Sequence, residues 1–253
     1  MTAERSTDRR LFAITGEERE SFLQGLVSND VRRLKDGIVY AALLSPQGKY
    51  LADFFLVPQP DAILLDVPAS LADGLIRRLS MYRLRAAVQI TPSPLHVSRG
   101  LGPAPTGALA DPRHPALGWR LYSETEGAAT SIDWDAIRVA HCIPETGIEL
   151  IPDDSYILEC GFEALHGVDF RKGCYVGQEV TARMKHKTDL RKGLAVVEIT
   201  GDAAPGTPIL ADGKEAGTIF TRSGPRAIAY LRFDRADGPM QAGTATLRRV
   251  PST

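Results

Sequence analysis

The stretch Ile38-Val-Tyr-Ala-Ala-Leu-Leu-Ser-Pro-Gln-Gly-Lys-Tyr-Leu-Ala-Asp-Phe-Phe-Leu-Val57 decides how the N-terminal part of the chain is read. Two apolar runs, 38–44 and 50–57, flank Ser45-Pro46-Gln47-Gly48. Proline presets φ at the second turn position and Gly48 tolerates the positive φ that such turns need, so the stretch predicts a β-hairpin. Upstream, Thr15-Gly16-Glu17-Glu18 has the form of a capping box with Thr15 as N-cap. The helix it opens carries Phe22, Leu23 and Leu26 on one face and is expected to end near Ser28-Asn29-Asp30. Downstream, the pattern predicts a strand over 62–67, a helix over 70–81 with Leu71, Leu75, Ile76 and Leu79 inward, and a strand over 86–91. Strands placed before and after helices in this order point to an α+β sandwich and away from an alternating Rossmann sheet.

Farther out, 91–115 is rich in Pro, Gly and Ala and reads as an irregular surface connection. A strand over 118–122 and a helix over 134–141 follow, and residues 2–9 are expected to fray. Beyond Gly193 the texture changes. Short extended runs at 194–199, 207–210, 215–220, 227–231 and 244–247 are separated by Gly, Pro and Asp, the pattern of a small all-β sandwich or barrel. A boundary near Thr188 divides an α+β region, 1–187, with subdomains of about 1–92 and 93–187, from a β-barrel-like domain, 188–253.

Composition excludes more than it names. The 253 residues carry 30 Lys and Arg against 31 Asp and Glu, a net charge of −1, which argues against a surface built wholly for nucleic acid. Three cysteines, Cys142, Cys160 and Cys174, are too few and too odd in number for a disulfide framework, so free thiols in a reducing compartment are expected. The start lacks the apolar region of a signal peptide and no apolar run approaches a membrane span; a cytoplasmic protein without a membrane partner is the expectation.

The chemistry concentrates in Val168-Asp-Phe-Arg-Lys-Gly-Cys-Tyr-Val-Gly-Gln-Glu-Val-Thr-Ala-Arg183. Gly173 and Gly177 bracket Cys174 and Tyr175, so the backbone there can turn sharply. After Gly177, Val176, Val180 and Met184 form an i, i+4, i+8 apolar line. Cys174 is thus expected just before a helix N-terminus, with Arg171 and Lys172 beside it, a setting that favours thiolate; the alternative is a small residue packed in a tight turn. Arg171, Lys172, Arg183, Lys185, His186, Lys187, Arg191 and Lys192, opposed by Glu179 and Asp189, suit an anion, with Arg171 and Arg183 as candidate contacts, or else form a solvated face. Cys160, His166 and Cys174, or His141 with Cys142, are weighed as metal ligands, but no CxxC pair exists and no metal site is expected.

Three stretches carry a family resemblance: Phe22-Leu-Gln-Gly-Leu-Val-Ser-Asn-Asp-Val31, Leu44-Ser-Pro-Gln-Gly-Lys-Tyr-Leu-Ala-Asp-Phe54 and Lys172-Gly-Cys-Tyr-Val-Gly-Gln-Glu179. They resemble the YgfZ family, the folate-binding, iron–sulfur-associated branch related to the glycine-cleavage aminomethyltransferase. The short length and Arg138-Val-Ala-His-Cys-Ile-Pro144 look most like its mitochondrial and alphaproteobacterial members. The resemblance implies an aminomethyltransferase-like fold whose 1–187 region binds tetrahydrofolate, with Gln24, Asn29 and Asp53 as polar contacts. It further implies a role in assembly or repair of iron–sulfur proteins, which become the expected partners. Cys174 is then the reactive group of a motif completed by Lys172, Gly173, Tyr175, Gly177, Gln178 and Glu179.

The departures bear on the reaction. Aminomethyltransferases typically carry paired carboxylates where this chain has Ala52-Asp53, and an Arg-x-Glu-x-Gly pattern where it has Ala140 and Cys142. Those acids hold the amino-pyrimidone edge of a pterin or orient its reacting nitrogens. Without them an accessory factor is expected over the alternative, a folate-dependent aminomethyl or one-carbon transferase. A further alternative is an RNA-associated factor using the basic segment 171–192.

Overall fold

The computed structural model describes residues 3–186 and 190–251. Chain contacts divide it into two compact units, residues 1–131 with 163–180, and residues 132–162 with 181–253. The sequence reading groups 132–162 with the N-terminal region; contacts group it with the C-terminal strands. The expected boundary at Thr188 lies outside the described residues, as do Lys187, Asp189 and Thr2 of the expectations above.

In the first unit, β1 (Glu4–Arg5), β2 (Arg9–Thr15), α1 (Arg19–Gln24), β3 (Val39–Leu44), β4 (Tyr50–Pro58), β5 (Ile63–Pro68), α2 (Ala69–Arg83) and β6 (Gln89–Pro92) follow in order. β7 (His96–Gly100), β8 (Leu109–Ala110) and β9 (Trp119–Ser123) complete it. Five strands make an antiparallel sheet in the order β3-β4-β5-β2-β6, and a second sheet runs β1-β7-β9-β8. One face of the five-stranded sheet presents Ala41, Leu43, Ala52, Phe54, Leu56 and Leu65 to a core shared with Leu23, Leu75 and Leu79 from α1 and α2. Residues of the other face, Tyr40, Asp53, Phe55 and Asp66, are buried as well. That is why 38–44 and 50–57 read as continuous apolar runs instead of alternating ones.

Five expectations are corrected here. Thr15 does not cap α1: the N-cap is Glu18, without a side-chain cap bond, and its carboxylate accepts from the Ala87 N–H at 2.6 Å. The N-terminal segment is not frayed over its described residues, since Glu4 is fully buried and accepts from Ser131 N and Oγ, both at 2.6 Å. The connection 91–115 is not irregular throughout, because β7 pairs with β1 and β9 there. α1 ends at Gln24, ahead of the expected Ser28-Asn29-Asp30, and β2, unassigned in the sequence reading, is an inner strand between β5 and β6.

In the second unit α3 (Trp134–Ala140) precedes six strands: β10 (Lys192–Thr200), β11 (Pro208–Ala211), β12 (Lys214–Ser223), β13 (Arg226–Arg232), β14 (Met240–Ala242) and β15 (Ala245–Arg249). They close into a barrel in the order β10-β13-β12-β11-β14-β15, filled by Val197, Ile199, Ile219, Ala229, Leu231 and Leu247 at alternate positions. Closure leaves no sheet edge to protect. Segment 132–162 is tied in by Arg138, which donates to the Glu149 carboxylate and Thr221 Oγ1, each at 3.0 Å. Glu149 in turn accepts from Thr221 N and Oγ1. The remaining helix, α4 (Gln178–His186), follows the cysteine motif.

Candidate functional site

The motif lies against the β3–β4 hairpin, and two glycines make the approach possible. Gly177 has φ +82°, and a Cβ there would fall 2.5 Å from the Ser45 carbonyl oxygen. Gly48, φ +76°, would place one 2.7 Å from Val180 Cβ. Both positions need a residue without a side chain, for conformation and for space. Gly173, by contrast, has nothing within 4 Å of where its Cβ would be.

Lys172 is the anchor. Its residue is 5% exposed, and the ammonium donates to the carbonyls of Gln24 (2.8 Å), Val27 (2.5 Å) and Asn29 (2.9 Å). All three donors of an ammonium are thereby used, on carbonyls at the end of α1 and in the turn after it. Burial pushes the group down to about 8, against the opposing pull of Asp30 and Asp169. The Tyr175 ring lies 5.0 Å from Nζ, and Gln178 Oε1 accepts the Tyr175 N–H at 3.3 Å. The sequence places Lys172 as a cation tuning the thiol; the structure commits its hydrogen bonds to the backbone.

Held by these contacts, Cys174 is exposed, four residues before α4 begins. The other thiols differ: Cys160 is buried and Cys142 half-buried, and burial pushes each up to about 12. The expected apolar line 176, 180, 184 is half-buried along its length, with Val180 against Gly48. Val176 packs on the core ahead of the helix, and Thr181 is the buried residue of α4. Arg171, Glu179 and Arg183 are exposed, Arg171 donating its N–H to Asp169 Oδ1 at 2.7 Å. Among the described residues no three His, Cys, Asp or Glu side chains gather as a metal-binding group.

The three expected folate contacts are engaged within the protein. Gln24 donates to Asp30 at 3.0 Å and accepts from Val31 N at 2.8 Å. Asn29 donates to the carbonyls of Tyr40 (2.8 Å) and His166 (2.7 Å) and accepts from Asp30 N. Asn29 and His166 border a cavity of about 290 Å³ that also touches Tyr40, Leu109 and Pro112. Asp53 is 5% exposed and accepts from the hydroxyls of Tyr40 (3.0 Å) and Tyr50 (2.7 Å). Of the three, Asp53 is the carboxylate, the group type that can accept two hydrogen bonds from a pterin edge.

One constellation was missed in the sequence. Asp66 accepts from Arg9 (2.6 Å), Arg120 (2.7 Å) and Tyr122 (2.8 Å), while Asp111 holds Arg113 (2.9 Å). Arg120 and Arg113 lie 4.1 and 4.9 Å from the Phe55 ring centre. Burial alone pushes Asp66 up, but Arg9 and Arg120 outweigh it and hold the carboxyl below its ordinary value. A charged residue inside each apolar run, Asp66 in β5 and Arg120 in β9, was the available signal.

With the geometry in hand, likeness to known proteins decides the family. The mouse mitochondrial iron–sulfur cluster assembly factor IBA57 is 30% identical over all of this chain and 83% of its own length. The chain belongs to the IBA57 family. The human IBA57 protein is 30% identical over 92% of this chain and 78% of its own length. The IBA57 homologue of Mycosarcoma maydis is 32% identical over 95% and 67% respectively. The family resemblance read from the three motifs is thus borne out, the relatives just named being mitochondrial proteins. Residues 191–252 match the family described as CAF17, C-terminal beta-barrel domain. In fold, this IBA57-family chain is similar to the glycine cleavage system aminomethyltransferase T from Bartonella henselae. The TM-score is 0.75 at 15% identity, over 99% of this chain and 86% of that one. Among the described residues no helix is long and apolar enough to cross a membrane.

Proposed function

We propose that this chain is an iron–sulfur cluster assembly factor working through Cys174. The observation that carries the reading is full-length similarity to proteins named for that activity, at 30% identity over all of the chain. Supporting it, the motif thiol is exposed on a loop pinned by three charged hydrogen bonds, whereas the other two thiols are withdrawn. An exposed thiol on a fixed loop can meet a sulfur, a cluster or a metal on a partner. Iron–sulfur proteins or their assembly partners are therefore the interacting class. The thiol-retaining composition suits a reducing compartment, the cytoplasm in this reading.

The same reading includes a reduced folate, tetrahydrofolate by preference, held in the first unit. The fold and the buried carboxylate of Asp53 support it; Gln24 and Asn29 are assigned instead to shaping the turn that Lys172 grips. Two measurements test the proposal. In cells lacking their own factor, the wild-type chain is expected to restore activity of a [4Fe–4S] enzyme and Cys174→Ala is not; equal rescue by both removes the cysteine. Titration with reduced folate is expected to saturate for wild type and to weaken at least tenfold for Asp53→Asn, about 1.4 kcal/mol. Absence of saturable binding to wild type ends the folate half.

A further inference from the structure

The end of α2 carries exposed apolar and basic side chains that the proposed function does not use. Six large apolar side chains are exposed among the described residues, and three of them, Met81 (70%), Tyr82 (42%) and Leu84 (87%), fall within four positions. Ala72, Leu75 and Leu79 mark the buried face of α2. Arg77 and Met81 form an exposed i, i+4 row away from that face, while Arg78 and Tyr82 form a second exposed row along its margin, Tyr82 lying two turns from Leu75. Arg83 and Arg85 flank Leu84. Arg77, Arg78 and Arg85 are in ion pairs with no carboxylate among the described residues. Of the nearby acids Asp73 is paired with Arg10 at 2.7 Å, while Glu17 and Glu18, the latter accepting from the Ala87 N–H, keep their charge beside four arginines. The patch is therefore positive with an apolar centre.

Leu84 is the decisive residue. The Ala86 N–H donates to the Arg83 carbonyl at 2.7 Å, closing a four-residue turn. Leu84 stands at its second position with φ +45° and ψ −106°, close to the type II′ geometry that glycine normally supplies. A leucine here strains the backbone and, at 87% exposure, recovers almost nothing by packing within the chain. That exposure leaves its side chain accessible to another molecule. Beside it, residues 15–17 and 83–89 wall a depression of about 610 Å³ that reaches β6. β6 is the last strand of its sheet, with β2 as its one neighbour among the described residues and with Gln89 and Thr91 exposed. Such an edge offers unpaired main-chain donors and acceptors.

We propose that this surface docks an acidic, extended segment of a partner protein. One apolar side chain of the segment packs on Leu84 and Met81, its carboxylates meet Arg77, Arg78 and Arg85, and its backbone runs along β6. The concave shape and the strand edge suit a polypeptide and not a flat bilayer.

The test uses the full chain and a short fluorescein-labelled peptide alternating Asp and Glu with Leu and Phe, read by anisotropy. A Lys-for-acid counterpart and vesicles of phosphatidylcholine with cardiolipin serve as the other probes. Saturable binding of the acidic peptide alone is expected. Leu84→Gly is expected to weaken it at least about fivefold, with thermal stability unchanged or raised because the turn strain is relieved. Arg77→Glu with Arg78→Glu is expected to weaken it at least about tenfold. The proposal is overturned if the acidic peptide does not bind, if both peptides bind alike, or if the variants bind as wild type does. It is equally overturned if only vesicles bind, or if Leu84 proves to hold two copies of this chain together in sedimentation.

Discussion

Lys172 and Cys174 are two positions apart and do opposite things. The lysine turns inward to three carbonyls; the cysteine is left at the surface. Exposure then separates the cysteines experimentally. Cys174 is expected to react with a maleimide near pH 7 well ahead of Cys142 and Cys160, since burial pushes those two up to about 12. Their labelling should become complete only on unfolding. Mass-spectrometric mapping of the labelled sites over time checks this, and equal rates at all three sites would remove Cys174 as the distinct thiol. The motif itself was legible in the sequence, because Gly177 and its neighbours form a rare pattern. The lysine's partners were not. They are backbone carbonyls more than 140 residues away, which have no side-chain signature.

At the scale of elements, the hairpin was legible because proline and glycine sit where its turn needs them. β2 was obscured by Arg9 and Arg10 at its start, which look like a solvated segment until Asp66 and Asp73 are brought beside them. The short closing strands of the barrel show the same limit: Met240–Ala242 has three residues, too few for a period to register. The charges buried between β5 and β9 set the sheet's response to acid. Asp66 is held below its usual 3.8, so the unfolded chain takes up this proton first. Its contribution to stability is present above about pH 3.8 and is lost as pH falls through the lower folded value. Asp66→Asn keeps the shape but leaves Arg9 and Arg120 buried beside a neutral group, a loss of about 3–5 kcal/mol. Urea unfolding at pH 7 should report that loss. At pH 2 the difference between variant and wild type should be smaller.

The whole chain is not two consecutive pieces. Residues 132–162 group with 181–253, and 163–180 group with the N-terminal residues. Composition hinted at the barrel, through its change of texture after Gly193, but no local pattern reveals that a segment belongs to a later part of the chain. Cutting the chain at the barrel therefore has a defined effect. A fragment ending at residue 187 loses Thr221 and with it a partner of the buried Arg138 and Glu149. Segment 132–162 is expected to become protease-sensitive in that fragment while β2 to β5 stay protected. Limited proteolysis with mass mapping reads this directly, and equal protection of 132–162 in fragment and full chain would contradict the grouping.

The lysine anchor has a consequence in time. Its bonds join residue 172 to positions 143 to 148 residues earlier, so they close one of the longest loops the chain contains. Closing a loop of that length costs entropy, though the cost grows only slowly with length, and such non-local contacts slow folding. On a ribosome, the turn at 24–29 emerges long before the residue that will grip it. A nascent or half-folded molecule thus carries the motif thiol without its mount. Only a formed first unit presents Cys174 in a fixed place, so the thiol's position is itself a report that this unit has folded.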